Sequence, residues 1–366
     1  SSPNNEAALT QRARIYVRQG KFTEASADVA KVLDKNPKNY EALNVRGVIK
    51  RDRDKDLNGA LADFNRAVEI KPDFYLAVFN VGITNRRLNN VSQAITAFNN
   101  AIQLNPNDSL SCANRGFLFL STGRLNEAVF DYDKAISLDD KNDNYFSTRG
   151  YIHLRKYIKD PKLSLNLIKN DVEKSLLINP NNALALSIRS LLKMEDNDFA
   201  GAIADADKAL QIDPKSFLSY MTKGLIKGST LKADKTYDSD GKLEEFEKAY
   251  KIVPNDAWIK GNLKNALRQS SSPVAKRIEN ELNAAAVEKA KQKVAANPWD
   301  FTAYDELNDA LSDANADKKA FWENMLAQNP KNICAIRFLG ESKSGNYTEM
   351  ISFFQNGLSL YDGKNG

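Results

Sequence analysis

Proline punctuates this chain at a nearly constant interval, and that interval constrains the fold more than any other feature. X-Pro steps, most of them Asn-Pro, Lys-Pro or Asp-Pro, close successive helical patterns at Pro37, Pro72, Pro106, Pro180, Pro214, Pro254, Pro298 and Pro330. Pro72 to Pro106 and Pro180 to Pro214 are each 34 residues, and Pro106 to Pro180 is 74. The period predicts one supersecondary unit that is repeated along the chain, with insertions between some copies.

Small and large residues recur at fixed places between these prolines. Alanine recurs as Ala25, Ala60, Ala94, Ala128 and Ala202, and four residues later stand Val29, Phe64, Phe98, Tyr132 and Ala206. A second series comprises Ala67, Ala101, Ala135, Ala209 and Ala249. Glycine marks the preceding helix at Gly47, Gly82, Gly116, Gly150, Gly224 and Gly340.

This pattern resembles the tetratricopeptide repeat, in which small residues let two antiparallel helices approach closely and large residues fill the gap between neighbouring pairs. The resemblance covers nearly the whole chain. Ten repeats are predicted, starting near Glu6, Tyr40, Tyr75, Ser109, Asp143, Ala183, Phe217, Ala257, Phe301 and Ile333. The resemblance implies an all-α fold: a right-handed α-solenoid (superhelix) of stacked antiparallel helix pairs. It also implies a concave groove that is lined by the first helix of each pair.

Departures from the period indicate where the array is irregular. One extra residue falls within 51–58, six within 156–165 and six within 227–241, where we expect surface loops or lengthened helices. A Ser-rich break at 270–273 precedes a helical stretch, 274–296, that is too long for a second helix. We therefore predict three parts: 1–269 with repeats one to seven and the start of eight, 270–298 with the break and long helix, and 299–366 with degenerate C-terminal repeats or a cap.

Charged residues covary between the two helices of a repeat. The residue before the glycine is basic in Arg12, Arg46, Arg115, Arg149, Arg189 and Lys223. Sixteen residues later, allowing for insertions, the second helix carries Asp28, Asp63, Asp131, Asp171, Asp205 and Glu245. In the third repeat both places are apolar, Val81 and Ala97. An unpaired charge at a partly buried place costs roughly 3 to 5 kcal/mol, so the joint change predicts ion pairs inside each helix pair.

The net charge of +5 is mild, and the predicted pairs use most of the repeated cations. We interpret Arg51, Arg86 and Arg87, near the ends of first helices, as solvated surface charge, and a small basic rim is the alternative. Nucleic acid is therefore not the expected partner. The alternative hypothesis is an RNA-binding helical-repeat protein with a basic inner surface.

The groove that the resemblance implies is apolar over repeats three to seven. Positions carried over from the family place there Leu76, Phe79, Ile83, Leu110, Phe117, Leu120, Tyr151, Leu154, Leu184, Leu191, Met194, Leu218, Met221 and Leu225. A contiguous apolar surface typically marks an interaction site, and a partner helix or extended peptide would cover it. The hypothesis is a scaffold or cochaperone-like adaptor that binds another protein. The alternatives for these residues are packing between adjacent first helices, burial by the C-terminal repeats of the chain itself, and self-association through the groove.

Residues for catalysis or for a cofactor are sparse. His153, the single histidine, falls at a packing position of the fifth repeat. Asp238, Asp240, Gly241 and Glu247 match part of a calcium loop, but a turn capped by Asp and Gly before a helix fits them better. We expect no metal, no cofactor and no enzymatic activity.

Cellular location is indicated only by weak features. Cys112 and Cys334 lie on repeats six apart, so a rigid array keeps them apart as free thiols, which suit a reducing, cytoplasmic compartment. The longest apolar stretch, near 116–120, is too short to span a membrane. The chain opens with Ser1 and not with Met, so export stays open.

Overall fold

The computed structural model describes residues 5–162, 164–230, 236–297, 300–314, 316–328 and 333–341. Over these ranges the chain is all-α and contains no β-strand. The helices between residues 6 and 229 are α1 (Glu6–Arg18), α2 (Phe22–Lys35), α3 (Tyr40–Ile49), α4 (Leu57–Ile70), α5 (Tyr75–Arg87), α6 (Val91–Leu104), α7 (Ser109–Ser121), α8 (Leu125–Leu138), α9 (Asp143–Lys159), α10 (Leu165–Ile178), α11 (Ala183–Glu195), α12 (Phe199–Ile212) and α13 (Phe217–Ser229). They are followed by α14 (Ser239–Ile252), α15 (Ala257–Arg268), α16 (Pro273–Ala296), α17 (Phe301–Asp313), α18 (Lys318–Gln328) and α19 (Ile333–Glu341).

Each predicted repeat begins where the structure begins a first helix. The ten starting residues predicted above, from Glu6 to Ile333, are the first residues of α1, α3, α5 and every second helix thereafter to α19. Many of these starts share one cause: an Asn or Asp after the turn caps the helix, as Asp108 does by accepting from the backbone N–H of Ser111. The predicted α-solenoid of stacked antiparallel helix pairs is confirmed.

The chain divides into two compact units, residues 1–223 and 224–366, and the boundary falls within α13. In the first unit each first helix packs on its own second helix, as α5 does on α6 and α7 on α8. Successive first helices also touch, α3 with α5 and α5 with α7. In the second unit α14 packs on α15 and α16, α16 on α17, and α18 on α19.

Glycine and alanine set the spacing within a pair. A methyl group on Gly82 of α5 would lie 2.7 Å from the ring of Phe98 on α6, and one on Gly47 of α3 would lie 2.6 Å from the ring of Phe64 on α4. Phe64 and Phe98 are fully buried by this approach. The predicted role of the small residues, close contact between the two helices, is confirmed.

The insertions become helical turns where the structure describes them. The extra residue near 51–58 is absorbed by a π-helical turn, Lys50–Asp54, which continues α3 and ends at Lys55 in a left-handed conformation. The insertion near 156–165 lengthens α9 to 17 residues. The third insertion includes 231–235, which lie outside the described residues. The predicted long helix is α16, with 24 residues, while the three-part division stays a prediction.

Candidate functional site

Ion pairs join the two helices of most pairs in the first unit. In each case a guanidinium of the first helix donates to a largely buried carboxylate of the second. The N–O distances are 2.7 Å for Arg12–Asp28, 2.6 Å for Arg46–Asp63, 2.5 Å for Arg115–Asp131, 2.5 Å for Arg149–Asp171 and 2.7 Å for Arg189–Asp205. Five predicted pairs are therefore confirmed. The sixth, Lys223 with Glu245, would join residues of the two units and stays a prediction.

Several of these cations also reach the second helix of the preceding pair. Arg115 on α7 donates to Asn99 of α6 at 2.8 Å, and Arg149 on α9 donates to Asp133 of α8 at 2.6 Å. Lys223 on α13 likewise contacts an acid of α12 at 2.7 Å. Arg115 and Arg149 thus each bridge two successive second helices, a role that comparison of the repeats did not predict.

A second cation one helical turn later often joins the same carboxylate. Lys50 contacts Asp63 at 2.8 Å, and Lys193 contacts Asp205 at 2.9 Å. Burial opposes ionisation of Asp205, but hydrogen bonds from Arg189 and Lys193 outweigh it and lower the pKa of that carboxyl. Each second cation lies four residues after the first in the sequence, and this spacing could have predicted its role.

The predicted groove residues differ widely in exposure. Leu110 and Phe117, both on α7, are exposed, by 50% and 43%. The partly buried members are Leu76, Phe79, Ile83, Leu120, Tyr151, Leu184, Met194 and Leu225. The buried members are Leu154, Leu191, Leu218 and Met221. These four belong to the packed interior and offer no surface to a partner, which corrects their predicted placement in an accessible lining.

Arg86 of α5 lies against the most exposed part of this surface. Its guanidinium carbon is 5.4 Å from the centre of the Phe117 ring on the next first helix. Within the described chain no carboxylate pairs with Arg86, and its buried Nε has no hydrogen-bond acceptor. Burial, together with the neighbouring Arg87, lowers the pKa of the Arg86 guanidinium. We call Arg86, Leu110 and Phe117 the α7 patch.

The other two arginines near this edge are engaged by the chain itself. Arg51, which is buried, donates to Asp52 at 2.9 Å and to Asn80 at 2.7 Å. Arg87 pairs with the same Asp52 at 2.9 Å, and Asn80 donates to Asn44 at 2.9 Å. The interpretation of Arg51 as solvated surface charge is therefore wrong, because its guanidinium holds the π-helical turn against α5.

Comparison with known proteins agrees with this geometry. Models of the tetratricopeptide repeat match residues 10–73 and 110–142. A tetratricopeptide repeat protein from Parabacteroides merdae superposes with a TM-score of 0.50 at 20% identity, over 72% of this chain and 98% of that one. The chain contains tetratricopeptide repeats. Among curated proteins, none matches it in sequence.

Two further solved structures are similar to this tetratricopeptide fold. PilF of Pseudomonas aeruginosa has a TM-score of 0.51 at 16% identity, covering 58% of this chain and 94% of its own. The Cut9–Hcn1 hetero-tetramer of the APC/C has a TM-score of 0.50 at 16% identity, covering 85% of this chain and 57% of the other. At such identities the likeness shows the fold alone.

Two of the polar residues that matched part of a calcium loop, Asp238 and Glu247, have structural roles. Asp238 is the N-cap of α14 and accepts from the backbone N–H of Gly241 at 3.2 Å, as the capping interpretation predicted. Glu247 is engaged by Arg277 at 2.9 Å and by Lys251 at 2.6 Å. Across the described ranges, no cluster of three or more metal-ligating side chains occurs.

His153 and the two cysteines are enclosed by the repeats. Burial lowers the pKa of His153, whose Nε2 lies 3.8 Å from Asp171. Cys112 and Cys334 are buried free thiols, and burial raises the pKa of both, that of Cys334 to about 11. None of the helices that the structure describes is long and apolar enough to cross a membrane.

Proposed function

We propose that this chain is a non-catalytic protein-interaction scaffold, and that a partner helix or extended peptide binds the surface formed by its first helices at the α7 patch. The observation that carries the proposal is the exposure of Phe117 and Leu110, seven residues apart on one face of α7. Full burial of a Leu or Phe side chain stabilises a complex by roughly 1.5 to 3 kcal/mol. Two such side chains on one helical face suit an amphipathic or extended partner segment.

Arg86 supports the same site through its charge. No carboxylate of the described chain pairs with the Arg86 guanidinium, which is only partly buried, so a carbonyl or carboxylate of the partner would be its acceptor. The ring of Phe117 already holds the guanidinium in place, so little side-chain entropy remains to be lost on binding. We therefore expect the partner segment to combine apolar side chains with an acidic or carbonyl group beside Arg86.

The arginines that recur along the repeats give RNA binding little support, because acids of the chain already pair with them. Five arginines of the repeated column donate to carboxylates, and Arg51 and Arg87 share Asp52. Phosphate contacts would make affinity fall steeply with salt, whereas apolar contacts persist. Salt dependence therefore separates the two functions.

The test is recovery of partners from native lysate by the full chain and by Leu110→Asp/Phe117→Asp. Both positions are exposed, so the double variant is expected to fold. A carboxylate in an apolar contact must be desolvated, and we expect at least tenfold lower recovery, measured by quantitative mass spectrometry. Phe130→Asp is the matched control, because Phe130 is 69% exposed but lies on a second helix, α8.

Raising NaCl from about 0.1 to 0.5 M should leave the recovery by the wild-type chain within about twofold. Undiminished recovery by the folded double variant would reject the α7 patch as the site. Tight RNA binding that falls by orders of magnitude over this range of salt would reject the scaffold itself.

A further inference from the structure

The third helix pair carries an open cleft on the side of the molecule formed by the second helices. The cleft lies between α4 and α6, is floored by α5, and has a volume of about 1150 Å³. Val81 of α5 and Ala97 of α6 line it, and these are the two positions at which the ion pair of the neighbouring repeats is replaced. We call this cavity the α5 cleft.

The second helix pair shows the same cleft in a filled state. Its cavity is about 320 Å³ and is lined by Arg46 and Lys50, which both contact Asp63 of α4. The corresponding residues of the third pair, 34 or 35 positions later, are Val81, Asn85 and Ala97. Three charged side chains are thus lost together, and the space of two long ones is vacated.

Packing within the third pair is as close as in the second, so the cleft does not result from separated helices. The hypothetical methyl contacts at Gly82 and Gly47 differ by only 0.1 Å, at 2.7 and 2.6 Å. The fourth pair shows what fills the space elsewhere: Arg115 extends from Asp131 to Asn99 of the preceding second helix. Asn65, which lines the α5 cleft, is the counterpart of Asn99. The cleft therefore has the length of a long side chain and retains one of its polar contacts.

Charge is absent from the lining, and this defines the ligand. No Asp, Glu, Lys or Arg lines the cleft, and α6 contains none along its 14 residues. A cation or anion placed there would lose water without gaining a counter-ion. Asn65, Gln93 and Asn100 make no side-chain hydrogen bond within the described chain, and each amide both donates and accepts, as a peptide backbone does.

We propose that the α5 cleft is a second binding site, separate from the α7 patch, that takes an uncharged extended peptide segment. One large apolar side chain of the segment enters between α4 and α6, onto Val81 and Ala97. The free amides on either side hydrogen-bond its backbone. Neither the hydrogen bonds between these amides and a peptide backbone nor the contacts with the aliphatic floor require a charged residue. This accounts for the uncharged lining of the α5 cleft, whereas the corresponding spaces of the neighbouring pairs are closed by ion pairs.

The closing variant is Val81→Arg/Ala97→Asp, which restores the pair found in five other helix pairs. The probe is a phage-displayed library of random dodecapeptides, selected on the immobilised wild-type chain and depleted on this variant. We expect the enriched peptides to be uncharged with one large apolar residue in common. A synthetic representative should bind the wild type at least tenfold more tightly than the variant, by calorimetry.

Two controls make the outcome decisive. Affinity of the same peptide for Leu110→Asp/Phe117→Asp should stay within about twofold, which separates this site from the α7 patch. Asn65→Arg, a substitution at an exposed position that places a long side chain across the cleft, should weaken binding if Val81→Arg/Ala97→Asp fails to fold. Failure of every enriched peptide to distinguish the variants overturns the proposal. Enrichment of charged peptides, or displacement of the peptide by a neutral oligosaccharide such as maltoheptaose, also overturns it.

Discussion

The third helix pair and its neighbours share a backbone arrangement and differ in what lies between their second helices. In the second and fourth pairs Arg46 and Arg115 fill that space and pair with Asp63 and Asp131. In the third pair Val81 leaves it open. The same space between second helices is therefore filled by an ion pair in some repeats and open to a ligand in another. Two or three side chains decide which, while the spacing of the helices is unchanged.

Removing one partner of an ion pair should have the largest effect on stability. Arg115→Ala leaves Asp131, which is 1% exposed, without its guanidinium. We expect the free energy of unfolding to fall by about 3 kcal/mol, because a buried carboxylate loses its counter-ion. Urea unfolding followed by circular dichroism measures this. Partner affinity per folded molecule should be unchanged, since Arg115 serves the helix pair.

Removing both partners of the fourth pair should cost far less. Arg115→Val/Asp131→Ala copies the third pair and should unfold within about 1 kcal/mol of the wild type, since an apolar pair avoids the desolvation of two charges. If the double variant is as unstable as Arg115→Ala, the apolar third pair is not an equivalent solution. The comparison of the pairs would then fail.

Close approach of the helices gives the next largest loss of stability among single substitutions. Gly82→Ala places a methyl group 2.7 Å from the ring of Phe98, and we expect a loss of about 2 kcal/mol from overpacking. Gly261→Ala is the matched control, because nothing lies within 4 Å of its added methyl group. That substitution should stabilise α15 by up to about 1 kcal/mol through helix propensity. A neutral Gly82→Ala would mean that α5 and α6 are more loosely packed than the 2.7 Å approach to Phe98 implies.

Sequence reasoning predicted the periodic part of this molecule and missed what depends on distances between repeats. The starts of all ten first helices and five ion pairs followed from residues that recur at one place per repeat. The burial of Leu191 and the opening of the α5 cleft did not follow, because both depend on how far one helix lies from another. The same holds for Arg86, whose contact with Phe117 joins two different repeats at positions that occur once. A pattern comparison detects only what is repeated.

The smallest expected effect on stability concerns a cluster of charges around Glu247 in the second unit. Hydrogen bonds from Arg277 and Lys251 lower the pKa of Glu247 from an ordinary value of 4.5 to about 2. Because the folded pKa is the lower one, the stabilisation is complete above about pH 4.5 and is lost as the pH falls towards 2. Water screens Arg277, whose side chain is 46% exposed, so we expect a contribution of only about 1 kcal/mol.

Glu247→Gln should therefore be about 1 kcal/mol less stable than the wild type at pH 6, and this difference should shrink at pH 3. Tryptophan fluorescence reports this unfolding selectively, since all three tryptophans of the chain, Trp258, Trp299 and Trp322, fall within residues 224–366. Glu281→Gln, at a carboxylate that is 48% exposed and shares the same cations, should give a smaller difference. A difference for Glu247→Gln that is constant from pH 6 to pH 3 would show that its ionisation does not stabilise the fold.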